Sequence, residues 1–262
     1  METFFSLHAP NRMIKQNGII DEKSLEKIQE RKNLSNLLYQ HRARIIPLYK
    51  RINDNYARDK TINICENNLK MFYKDHQICV NIDGKEIKLR YSEDEDDFRK
   101  DIIGGWFEEY IYFELLELLD KQVIYDLRLN MILGVENTNA IQGDKRPIYT
   151  GLDIAFSDGK NLYVAECKSG GLKNKGVLTD LSTNAQIFGG ANAKCILISI
   201  DGNLGQGLQE KVKVLNIEFI LKILKKILRI ISITLGVDKS ERGCLVGVKP
   251  ICYWILEFLR NN

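Results

Sequence analysis

Histidine is nearly absent from this chain of 262 residues, with only three present. His8, His41 and His76 fall outside the segments that read as a core, so no Ser-His-Asp or Cys-His frame can be assembled from them. Proline is almost as scarce, at four, and neither an internal repeat nor a low-complexity tract interrupts the chain. The six cysteines (Cys65, Cys79, Cys167, Cys195, Cys244 and Cys252) form no CxxC pair and have no histidine placed to complete a zinc set. They read as reduced thiols of a cytoplasmic protein. The opening METFFSLHAP lacks the positive start, long apolar middle and cleavage site of a secretory signal and reads as mature protein. The most apolar run, Ile217 to Leu235, is broken by Lys222, Lys225, Lys226 and Arg229. Charges near its centre argue against a membrane span and for a helix docked on its own domain or on a second subunit. GNLGQG at Gly202 to Gly207 has neither the lysine of a phosphate-binding P-loop nor the glycine order of a dinucleotide site, and reads as a loop.

What is present is ordinary in bulk: 44% hydrophobic and 28% charged residues with a net charge of +3, which neither demands nor excludes a polyanionic partner. The bias is local. Eight Lys/Arg against two Asp lie between Arg31 and Lys60, interleaved with Tyr39, Tyr49 and Tyr56. Phosphate-binding surfaces look like this, and so do many solvated helix faces. Apolar spacing predicts helix over Asp21 to Lys60, broken or kinked at Pro47. His76 to Tyr91 predicts a hairpin about Asp83-Gly84. The acidic run SEDEDDF that follows lacks the alternating ligands and glycine turn of a metal loop; negative charge there suits the start of a helix near Phe98.

From that point the predicted order is a buried helix (Phe98 to Leu119), three strands (Val123 to Val135, Ile148 to Phe156, Leu162 to Lys168), a helix (Val177 to Phe188) and a fourth strand (Lys194 to Ile200). This order implies an α/β layer with antiparallel and parallel pairs. Within it, Asp153, Glu166 and Lys168 are charged residues in strand-like surroundings. Strand alternation puts Glu166 and Lys168 on one face and Cys167 on the other, while Gly151 and Ala155 leave room beside Asp153. Two carboxylates converging there repel each other unless a cation offsets them, and a hard divalent ion with oxygen ligands fits that need. Glu108 from the preceding helix is a candidate third carboxylate, with Glu109 as its alternative. The Cys167 carbonyl is a candidate fourth oxygen. Such an ion activates a water toward a phosphodiester, and Lys168 orients that water or offsets charge on the phosphorane. The competing reading of the same residues is an ion-pair network. Gln186, in the helix after this strand, reads as a solvated polar residue.

Asp153 followed by Glu166-Cys167-Lys168 in this order of elements resembles the PD-(D/E)XK nuclease superfamily. GGWFEEY at Gly104 to Tyr110, GLD at Gly151 to Asp153, AECKSG at Ala165 to Gly170 and IFGGANAKCILIS at Ile187 to Ser199 resemble the nuclease domain of CRISPR ancillary nucleases, effectors that join it to a CARF sensor of cyclic oligoadenylates. The likeness covers roughly Phe98 to Ser199, with Leu152 where the superfamily usually has proline. It implies a restriction-endonuclease-like core, a mixed central sheet flanked by helices. It also implies that Glu108, Asp153 and Glu166 hold Mg²⁺ or Mn²⁺, that Lys168 assists hydrolysis, and that a homodimer cuts DNA, RNA or both in antiviral defence.

No alternating βα series with a nucleotide-binding loop precedes the core, so no CARF domain is read there and the activating ligand is left open. The expected organisation is a basic helical and hairpin module over 1–97, the nuclease core over 98–216 and an apolar helical extension over 217–262. The alternative from another class is a nucleic-acid-binding or assembly module that keeps the nuclease fold without turnover.

Overall fold

The computed structural model describes residues 13–16, 25–90, 101–120, 124, 126–135, 148–157, 161–172, 174–200 and 204–219. The acidic run after the hairpin, the Asp158-Gly159 turn and the chain beyond Phe219 lie outside the described residues. Contacts divide the chain into two compact units, Ile19–Phe113 and Met1–Gly18 with Glu114–Asn262.

In the first unit, α1 (Leu25–Gln40), α2 (Arg42–Ile45), a 3₁₀ turn (Ile46–Leu48) and α3 (Tyr49–Asp59) precede a four-stranded sheet. Pro47 sits at the start of the 3₁₀ turn, where its missing N–H costs nothing, and so separates two helices rather than kinking one. The sheet is an antiparallel meander of β2 (Ile62–Glu66), β3 (Leu69–Lys74), β4 (Gln77–Ile82) and β5 (Lys85–Arg90). The hairpin at Asp83-Gly84 is the last of three like it. Asn67-Asn68 and Asp75-His76 make the other two, and all six residues have positive φ between 47° and 87°. Two successive left-handed residues match the twist of paired strands, and Asn, Asp and Gly adopt that conformation at least cost. Burial alternates along the strands: Ile62, Ile64, Leu69, Met71, Ile78 and Val80 are buried, and their neighbours face water. With Leu37, Leu38, Ile45 and Ile52 they form this unit's core, because a one-sided sheet must bury its apolar face against a layer of helix.

The second unit is built on a six-stranded sheet in the order β1-β6-β7-β8-β9-β10. Its strands are β1 (Met13–Gln16), β6 (Asp126–Val135), β7 (Ile148–Ser157), β8 (Leu162–Lys168), β9 (Ala193–Ser199) and β10 (Ile217–Phe219). The pairs from β1 through β8 are antiparallel, and β8, β9 and β10 are parallel, joined by α5 (Gly176–Gly189) and α6 (Gln206–Val214). A parallel return requires a crossover of this kind, which places helices on the sheet. Leu162 and Val164 of β8 pack with Leu178, Leu181, Ala185 and Phe188 of α5, and with Leu208 and Val212 of α6. The mixed α/β class expected from the sequence is therefore present. Ile217–Phe219, expected to open an apolar helix, is instead the edge strand β10. The Gly202 to Gly207 stretch holds the start of α6 rather than a loop alone, with Gly205 at its N-terminal boundary.

The remaining helix, α4 (Trp106–Asp120), is entered by a π-helical turn (Asp101–Gly105). The boundary between the units falls within it, between Phe113 and Glu114.

Candidate active site

The ladder between β7 and β8 is short. Its pairs run from Ser157↔Leu162 to Ile154↔Ala165 and stop. Before Ile154, β7 continues in register with β6 alone (Leu152↔Met131, Gly151↔Ile132), and after Ala165, β8 continues with β9 (Glu166↔Leu197, Lys168↔Ser199). The strands part, and Asp153 and Glu166 are the first residue of each past the fork. Continuing the register by one step sets them opposite each other, on one face. Parting strands leave backbone groups without a ladder partner, which a buried site does not tolerate. The Asp153 carboxylate answers that need by accepting the Cys167 N–H on Oδ2 at 2.9 Å.

Glu166 and Lys168 share the face of Leu162 and Val164, just past the α5 contact, while Cys167 is buried on the other. The helix packed on the Glu166 face is thus α5, the one that follows β8. Lys168 Nζ is ion-paired with Glu166 Oε1 and stands 4.0 Å from Asp153 Oδ2. The side chains are 22% (Asp153), 19% (Glu166) and 31% (Lys168) exposed, so the cluster is largely withdrawn from water yet open to it. A Cβ placed on Gly151 or on Gly170 would meet nothing within 4 Å, which leaves space at both flanks.

The electrostatics are unbalanced. Burial raises the Asp153 carboxyl above the ordinary carboxylate range, against the opposing pull of Lys168 and the Cys167 N–H. Glu166 is raised by burial first and then by the Asp153 charge, with Asp180 of α5 adding to it and Lys168 opposing. One ammonium in contact with both carboxylates does not offset the desolvation of either. Residual negative potential among hard oxygen donors fits a divalent cation of the Mg²⁺ or Mn²⁺ type. Among the described residues no group of three or more His, Cys, Asp or Glu side chains is gathered as a metal cluster. The fork itself offers two carboxylates, so a cation held here keeps waters on its remaining positions.

Asp153, Glu166, Cys167 and Lys168 are thus brought together as the sequence spacing suggested. Glu108 lies in the first turn of α4 and belongs to the other unit. Its neighbour Glu109 is buried and ion-paired with Arg31, whose Nε donates to Oε1 at 2.6 Å. Gln186 lines a cleft of about 220 Å³ with Ser182, Lys194, Cys195 and Asn216. That cleft is at the end of α5 where Gly189 touches Leu162, away from the fork. Asp180 was not singled out in the sequence. Its only signal is its place one turn into the helix that follows the Glu-Cys-Lys triplet.

No protein-family model matches the chain, and no curated protein matches it. Solved structures share its fold, two of them as follows. The protein VC1899 from Vibrio cholerae matches with a TM-score of 0.57 at 16% identity, over 82% of this chain and 56% of that one. Can2 from Sulfobacillus thermosulfidooxidans, in complex with cyclic tetra-adenylate, matches with a TM-score of 0.53 at 17% identity over the same shares. The chain therefore spans little more than half the length of either neighbour.

Proposed function

We propose that the chain is a metal-dependent endonuclease with a PD-(D/E)XK site, hydrolysing phosphodiester bonds of DNA, RNA or both in CRISPR-linked defence. The observation that carries this reading is the fork between β7 and β8, where two carboxylates stay raised despite a lysine that contacts both. An ion-pair network built only for stability has no need of this arrangement, because burying like charges costs more than a single ammonium returns. The likeness of fold to Can2, whose structure holds cyclic tetra-adenylate, supports the placement in CRISPR defence.

In this reading Asp153 and Glu166 hold Mg²⁺ or Mn²⁺ with the Cys167 carbonyl. Glu108 is the third carboxylate on the strength of the family resemblance. The ion, when bound, supplies positive charge and a water of lowered pKa. Asp153 keeps its orientation through the Cys167 N–H, which fixes one carboxylate oxygen and would leave the other to a ligand. Lys168 Nζ, which stands beside both carboxylates, would donate to a non-bridging oxygen of the scissile phosphate as negative charge develops there. Glycine at 151 and 170 keeps the space beside the site open, as the approach of a substrate backbone would require. A homodimer, a cytoplasmic location and control by a ligand yet to be identified complete the proposal. No helix among the described residues is long and apolar enough to cross a membrane.

The test is cleavage of plasmid DNA and of end-labelled RNA with Mn²⁺ or with EDTA. Products with Mn²⁺ that vanish with EDTA, and in Glu166→Gln, support the assignment. Steeply salt-dependent binding without any metal-dependent product would replace it with the inactive binding module.

A further inference from the structure

The water-facing side of the β2 to β5 meander is unlike the solvated face of an ordinary sheet. Phe72, in the middle of β3, is 40% exposed there. It is flanked two residues away on the same strand by Lys70 and Lys74, both exposed. Its register partner Cys79 on β4 pairs in turn with Lys88 of β5. Gln77, the partner of Lys74, pairs with Arg90. Strand geometry sets Lys70 and Lys74 about 7 Å from Phe72 along the strand and Lys88 about 10 Å across it. An uncovered ring thus lies within a frame of cations.

The acids near this face cancel only part of it. Glu86 is ion-paired with Lys88 at 2.9 Å, which leaves Lys70, Lys74 and Arg90 as its outward cations. Lys74 stands 4.0 Å from Asp75 of the adjoining turn, with both side chains more than three-quarters exposed, where such a pair contributes little. The helical side of the same unit differs. Arg31, Arg44, Arg51 and Arg58 are each paired with a carboxylate of their own unit, and Arg42 and Lys60 lie over tyrosine rings. Six of the eight basic residues of 31–60 are thus engaged within the fold, Lys32 and Lys50 being the others, whereas Lys70 and Arg90 on the sheet are exposed.

We infer that the outer face of the meander is a platform for an unpaired nucleic-acid strand, with a base stacked on Phe72 and phosphates drawn to Lys70, Lys74 and Arg90. A π-face accepts any base, and a flat sheet presents one where the paired bases of a duplex offer none, so the platform favours single strands without reading sequence. The inference takes from the proposed function only that the chain meets nucleic acid. It is independent of the metal site.

The experiment is fluorescence anisotropy of the full-length protein in EDTA, where no cleavage occurs, with labelled oligo-dT, oligo-U and a duplex of equal length. Phe72→Ala should weaken single-strand binding by about five- to a hundredfold, and Phe72→Tyr should restore it. Lys70→Gln or Arg90→Gln should each lower the slope of log K against log salt by about 0.7. Since Phe72 faces water, circular dichroism and Tm should stay at wild type in both Phe72 variants. Binding by Phe72→Ala equal to wild type, a preference for the duplex, or capture of an acidic protein in place of any oligonucleotide would each overturn the platform. None of these results alters the Mn²⁺ cleavage assay of Glu166→Gln, so the two readings fail separately.

Discussion

The Asp153 carboxylate accepts the Cys167 backbone N–H at 2.9 Å, at the point where β7 and β8 separate. This one hydrogen bond closes the fork and orients the carboxylate proposed to hold the cation. The two roles separate by substitution. Asp153→Asn keeps an acceptor for the N–H and removes the charge, so stability should hold or rise slightly while cleavage falls at least about a hundredfold. Asp153→Ala loses both, and urea unfolding should show about 1–3 kcal/mol of destabilisation from the unmet N–H. Parallel unfolding and cleavage assays of the two variants check this.

Raised carboxyls make a specific pH signature. For Asp153 and Glu166, whose folded values lie above their unfolded ones, the favourable contribution is complete below the ordinary carboxylate range, about pH 4, and is lost as pH rises through the raised values. In EDTA, the contribution of this pair to Tm should therefore fall as pH rises from about 4 toward neutrality. Glu166→Gln should flatten the profile, and Lys168→Met should steepen it by removing the ammonium that opposes burial. Scanning calorimetry or fluorimetry at several pH values, on wild type and both variants, reads the difference directly.

Glu108 and Glu109 adjoin in one helical turn and should behave differently. Glu109 is buried against Arg31, so Arg31→Ala leaves a carboxylate without its guanidinium and should cost about 3 kcal/mol or more. Glu109→Gln should keep Mn²⁺-dependent turnover in whatever fraction remains folded. Glu108→Gln, at the carboxylate proposed as the third ligand, should remove turnover in the folded fraction. Specific activity, normalised to folded protein by circular dichroism, distinguishes them.

Two glycines of the sheet unit make a further contrast. A Cβ on Gly189 would meet Leu162 and Ala193 at 3.0 Å, so Gly189→Ala should destabilise by about 1–3 kcal/mol through overpacking where α5 meets β8. Gly151→Ala meets nothing within 4 Å and should be close to neutral in the same urea titration.

The strands of the sheet unit were legible because β7, β8 and β9 are apolar runs bounded by turn residues, and the triplet Glu166-Cys167-Lys168 stands out against them. The meander was legible only in its last hairpin. Asp83-Gly84 is a familiar two-residue turn, whereas Asn67-Asn68 and Asp75-His76 do the same work without a glycine, so β2 and β3 went unread. Their alternation, buried Leu69, Met71 and Tyr73 against exposed Lys70, Phe72 and Lys74, was in the sequence all along. The edge strands β1 and β10 have four and three residues, too few for a period to show. Ile217–Phe219 also begins an apolar run of helical spacing, and pairing with β9 overrode that local pattern. The Arg31–Glu109 pair joins residues 78 apart, a contact that no local spacing announces. The fork was likewise hidden. Sequence placed Asp153 and Glu166 on adjoining strands, but only the register shows that the ladder ends one residue before both.

Titration of the protein with Mn²⁺ by isothermal calorimetry, in wild type, Asp153→Asn and Glu166→Gln, is the most direct test of a cation at this fork. Wild type should bind with an affinity that strengthens as pH rises through the raised carboxyl range, and each single substitution should abolish that binding while the protein stays folded. Equal Mn²⁺ binding by all three proteins, or none by wild type above the carboxylate range, would contradict a metal-dependent site built on Asp153 and Glu166.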